Sequence, residues 1–135
     1  MKVGLFVGCV LAAALPGVAI ACKCEDPTLA EAVAQSKYVY IGTVMRSRMV
    51  KGGEFSHVES TLLVHRVGKG SISPGERVVT MGMTSCHLQL AVGHTYAVYE
   101  NETGGVNGMC SGTGQIHRAK EEEFIRKVED AAQKH

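Results

Sequence analysis

The sequence predicts a mainly β domain: a small antiparallel barrel of five strands, with a short helix before it and a second helix at its C-terminal end. Stretches rich in β-branched and aromatic residues recur along the chain, separated by turn-forming segments. Helical spacing of apolar residues appears only in a short segment near residue 30 and in the last 15 or so residues. A five-strand sheet left open would expose two edges, and closure removes them.

The elements follow in order. Residues 27–36 (PTLAEAVAQS) are expected as a helix, with Pro27 near its start and Leu29, Ala32 and Val33 on one face. Residues 38–48 (YVYIGTVMRSR) form a strand, Lys51-Gly52-Gly53 a turn, and residues 57–67 (HVESTLLVHRV) the returning strand of a hairpin. Residues 68–75 (GKGSISPG) are loop by composition. Residues 77–83 and 95–99 supply the third and fourth strands, and a short fifth crosses 109–113 after the loop 101–108. From 119 to 133 the pattern is helical, with Phe124, Val128 and Ala131 on one side. Glu121 to Glu123 lie in its first turn, where the helix dipole favours acids. Met45, Met49, Met81, Met83 and Met109 show no copper-binding pattern and are expected to fill the core.

Ahead of this domain, Lys2, an apolar run over residues 3–15 and the small-residue end Ala19-Ile20-Ala21 have the form of a secretory signal cleaved after Ala21. The apolar run is shorter than the roughly 20 residues of a membrane span. The expected organisation is a signal peptide over 1–21 and one domain over 22–135, located outside the cell or in a periplasm. The alternative is a lipoprotein acylated on Cys22, although lipoboxes usually carry Leu where this chain has Ala19. A membrane is a partner only in that case. Lys2 leaves with the signal, so 14 Lys and Arg fall to 13, matching the 13 Asp and Glu. A neutral chain without a basic stripe gives no basis for nucleic-acid binding.

Cys9 also leaves, and Cys22, Cys24, Cys86 and Cys110 remain. An even number of cysteines in an oxidising compartment favours disulfides. A bond between Cys22 and Cys24 would close a strained ring. The other two pairings both pin the start of the mature chain to distant segments.

No catalytic set can be assembled. Ser85 and Ser111 lie beside cysteines without a nucleophile elbow, and Gly68-Lys69-Gly70 is too short to cradle a phosphate. An enzyme is therefore not expected, and neither is a cofactor. His57, His65, His94 and His117 are scattered, whereas His87 follows Cys86 and with Cys22 and Cys24 could compose a copper or zinc site. The simpler reading is a surface histidine beside a disulfide. Asn101-Glu102-Thr103 is a glycosylation sequon, meaningful only in a eukaryotic secretory route.

A signal followed at once by Cys22-Lys23-Cys24 resembles the netrin-like modules of the tissue inhibitors of metalloproteinases. So do the short helix, the strand Tyr38-Val39-Tyr40-Ile41-Gly42-Thr43-Val44, and Ser85-Cys86 leading into Leu90-Ala91-Val92-Gly93-His94-Thr95-Tyr96-Ala97-Val98-Tyr99. Cys110-Ser111-Gly112-Thr113 followed by a helix is similar to the short bacterial members. The resemblance covers nearly all of 22–135 and implies an OB-like barrel with disulfides Cys22–Cys86 and Cys24–Cys110. It also implies an inhibitor of a zinc metalloprotease. The α-amine and carbonyl of Cys22 would chelate the protease's catalytic zinc, Cys24 would brace them, and Lys23 would enter the specificity pocket. The chain departs from the animal inhibitors in carrying Lys23 where they favour a small hydroxyl residue. It also lacks their third N-domain disulfide and their C-terminal subdomain. Two other readings stand beside this one: a protein- or glycan-binding envelope module without inhibitory activity, and a metal-binding or redox protein using the thiols and His87.

Overall fold

The computed structural model describes residues 24–53, 55–83, 86–106 and 110–134. The leader expected over 1–21, together with Cys22 and Lys23, lies outside them. The chain forms helix α1 (Leu29–Gln35), strands β1 (Tyr38–Val50), β2 (His57–Lys69), β3 (Gly75–Gly82), β4 (Thr95–Glu100) and β5 (Gly114–Gln115), a 3-10 turn (Arg118–Lys120) and helix α2 (Glu121–Ala132).

The strands make one sheet in the order β3-β2-β1-β4-β5. Every neighbouring pair is antiparallel. The long β1–β2 ladder runs from Val39↔Lys69 to Val50↔His57, and its register shifts at three places as far as Arg46. Such irregularities bend the strands and increase twist. Beyond the ladders, two isolated bridges, Thr80↔Gly105 and Glu100↔Val106, link the end of β3 to the end of β4.

Both faces of the first half of β1 are covered. Tyr40 and Val44 face a core with Leu62, Val64, Val79, Met81, Leu90 and Val98. Val39 faces a second cluster, formed with Ala32 and Val33 of α1, Tyr99 of β4, and Val128 and Ala131 of α2. A strand buried on both faces shows a continuous apolar run rather than alternation, and the sequence Tyr38-Val39-Tyr40-Ile41 has that form. Helix α2 packs on β2 closely because of Gly68, where a Cβ would meet Val128 Cγ1 at 2.7 Å. That valine is fully buried and β-branched, so it has little room to yield.

Three expectations need correction. The fifth strand lies at Gly114–Gln115 rather than 109–113. Residues 110–113 turn instead, with Gly112 at φ +84° and the Ser111 hydroxyl accepting from the Thr113 N–H. The methionines divide: Met81 is buried, whereas Met45, Met49 and Met83 are 50%, 58% and 51% exposed. Met109 lies outside the described residues. Finally, β2 continues through Lys69 into the segment expected as loop, and the work of that lysine becomes clear at the site.

Candidate functional site

The chain entering the domain is anchored within its first described residues. Cys24 is disulfide-bonded to Cys110, 86 residues away, with Cα atoms 5.2 Å apart. This is one half of the pairing that the resemblance implies; the other half involves Cys22, outside the described residues. Cys86 is itself disulfide-bonded.

The mount beneath Cys24 is built from local chemistry. Thr28 caps α1 in a reciprocal box: its hydroxyl accepts from the Glu31 N–H, while the Glu31 carboxylate accepts from the Thr28 N–H at 2.8 Å. The Thr28 hydroxyl also donates to that carboxylate at 2.8 Å, and this bond first, with the one from the Thr28 N–H, holds the Glu31 carboxyl below the usual range. At the other end of the helix, Lys69 Nζ donates to the carbonyls of Val33 and Ser36 at 2.5 and 2.8 Å. A cation there satisfies orphan carbonyls and complements the helix dipole. With Ala32 and Val33 buried below, α1 is fixed at both ends and along one face.

The Cys110 side is tied as firmly. The Ser111 hydroxyl donates to Thr113 Oγ1, which also accepts from the Tyr99 N–H at 3.0 Å. The Tyr99 ring packs edge-on against Phe124, and burial pushes its hydroxyl up to about 12. Above it lies a cavity of about 360 Å³ whose lining includes Ala32, Cys86, His87, Tyr99, Asn101 and Cys110. The structure thus brings Cys24, Cys86, Cys110 and His87 to one end of the domain. His87 is half-buried rather than on the surface: its ring lies against Gly82, where a Cβ would meet Nε2 at 2.7 Å. Among the described residues no group of three or more His, Cys, Asp or Glu could hold a metal ion. None of their helices is long and apolar enough to cross a membrane. Asn101 of the sequon is built into a turn, its Oδ1 accepting from Thr103 N–H, Thr103 Oγ1 and Gly105 N–H.

Sequence reasoning missed a second cluster, which stiffens this end. Glu100 is 1% exposed and takes a bidentate pair from Arg77 at 2.7 and 2.6 Å and the Tyr40 hydroxyl at 2.8 Å. The guanidinium also lies over the Tyr38 ring at 4.6 Å. The only hint in the sequence is an Arg and a Glu in strands whose neighbours are core residues. Burial, and then the adjacent Glu100 carboxylate, hold the Tyr40 hydroxyl far above its ordinary value. Tyrosines of the unfolded chain ionise near pH 10, while Tyr40 and Tyr99 stay protonated in the fold. Their contribution to stability is therefore complete below about pH 10 and is lost as pH rises through the raised values. In an alkaline titration followed by phenolate absorbance, these two rings should ionise only with loss of the near-ultraviolet circular dichroism. Full ionisation of all tyrosines in a folded chain at about pH 10 would contradict their burial.

Compared with protein-family models and with curated proteins, the chain matches none.

Proposed function

We propose that the mature chain is an exported protein-binding module that begins at Cys22 and inhibits a zinc metalloendopeptidase through its N-terminal ridge, Cys22-Lys23-Cys24. The observation that carries this reading is the Cys24–Cys110 cross-link just ahead of a helix capped at both ends. A catalytic zinc keeps one coordination position open for water. A deprotonated α-amine with its own carbonyl suits that position, and a ridge already immobilised by cross-links loses little entropy on binding. The same reading makes the sheet a closed, OB-like netrin barrel and the second disulfide Cys22–Cys86. Lys23 then selects the target. A long cationic side chain enters a protease pocket only where an acid meets it, so the target carries a carboxylate in that pocket.

The test uses the mature disulfide-bonded chain against a panel of zinc metalloendopeptidases. Inhibition of at least one is expected, and acetylating the Cys22 amine or adding one residue before it should weaken it about 100-fold or more, the scale of about 3 kcal/mol. Unchanged inhibition by the blocked protein would sink the reading. Intact mass belongs in the same experiment: a diacylglyceryl group on Cys22 would block the amine and leave an envelope-anchored module without this activity.

A further inference from the structure

The β1–β2 hairpin extends past the main core, and its inner face carries an apolar row in register across three strands: Met49 opposite Val58, and Val58 opposite Met81. With Met83 and Leu88 they line a groove of about 440 Å³. Two residues beyond the last ladder pair, Val50↔His57, stands Phe55, 80% exposed and outside its own chain's groove. Met49 and Met83 are 58% and 51% exposed. An exposed aromatic beside an open apolar groove marks an interaction surface, and methionine walls adapt to the shape of what enters.

We propose that this surface binds a second copy of the chain, with the Phe55 ring of each protomer seated in the methionine-walled groove of the other. The plug stands at the tip of the same hairpin whose Met49 and Val58, a few residues away, form one wall of the socket. A two-fold axis beside the hairpin tips therefore fills both sockets at once, as an isologous interface requires. A cavity of about 150 Å³ holds a benzene ring, so the groove has room for a phenyl side chain. Phe55, Met49 and Met83 are 80%, 58% and 51% exposed, so seating them over two copies buries a surface at the small end for a specific interface. The dimer is accordingly weak and reversible, with a Kd on the order of micromolar. This inference does not depend on the zinc-directed ridge and survives or fails separately from it.

Sedimentation of the mature, disulfide-bonded protein from about 1 μM to about 1 mM reads the association directly. A concentration-dependent monomer–dimer equilibrium is expected. Phe55→Ser should weaken it at least tenfold, and Met83→Lys should do likewise from the socket side. Val78→Ser removes a comparably exposed side chain, 54% accessible, next to the inward-facing Val79 and so on the opposite face of β3. It should leave the equilibrium unchanged. A monomer across the whole range would overturn the proposal. So would a dimer indifferent to both Phe55→Ser and Met83→Lys, or one weakened equally by Val78→Ser. Phe55 and Met83 are exposed, so circular dichroism of both variants should match the parent.

Discussion

Replacing Cys24 and Cys110 together with serine should lower the unfolding free energy by about 3–4 kcal/mol. The 86-residue separation sets the scale, because a tie over a long loop removes more freedom from the unfolded chain. The value falls below the full loop-closure figure because Cys86 is also disulfide-bonded and shortens the open chain. Urea denaturation should show a lower midpoint and a steeper m-value, since the released unfolded chain exposes more surface. A loss under about 1 kcal/mol would mean that α1, through its Thr28 cap and Lys69, already holds this end without the bond. The proposed inhibition should weaken in the same variant even where the fold persists, because the ridge would lose its brace.

The second large effect belongs to the buried carboxylate. Arg77→Met leaves Glu100 buried without its cation and should cost about 3 kcal/mol or more. Adding Glu100→Gln removes the stranded charge and keeps an acceptor for the Tyr40 hydroxyl, so the double variant should recover most of the loss. The coupling read from the four proteins should exceed about 1.5 kcal/mol. Simple additivity would show that Glu100 gains little from Arg77 and that the clasp between β3 and β4 is ornamental. The cluster matters to the site because Glu100 also bridges to Val106, while Lys37 N–H donates to the Glu100 carbonyl at 2.9 Å. Loosening Glu100 therefore loosens the junction between α1 and β1.

What could be foreseen divides along physical lines. Strands and helices with strong local patterns were legible: residues 38–44 are apolar because both faces of β1 are covered, and Phe124, Val128 and Ala131 share the packed side of α2. The capping box Thr28-Leu29-Ala30-Glu31 is a local signal that needs no tertiary context, yet sequence reasoning marked the helix start only by Pro27. Lys69 was not legible as a helix cap, since its partners Val33 and Ser36 lie more than 30 residues away and nothing in GKG announces them. Arg77 and Glu100 escaped for the same reason: a buried ion pair is a relation between strands, and each member alone has the composition of a surface residue. The fifth strand was misplaced because the disulfide at Cys110 and the positive φ of Gly112 override the weak β-propensity of 109–113. The methionines were assigned to the core on hydropathy alone, which cannot tell a filled core from its open end.

The long reach of the Cys24–Cys110 bond also orders events during biosynthesis. Translation delivers Cys24 first, and its partner follows only after 86 further positions. The cross-link thus cannot close until β1 to β4 have all been synthesised. Until then α1 must be retained by its threonine cap, its lysine tether and its small apolar face. The covalent tie therefore joins segments whose intervening strands are all present before it can form. An oxidant acting before Cys110 emerges would find only wrong partners for Cys24.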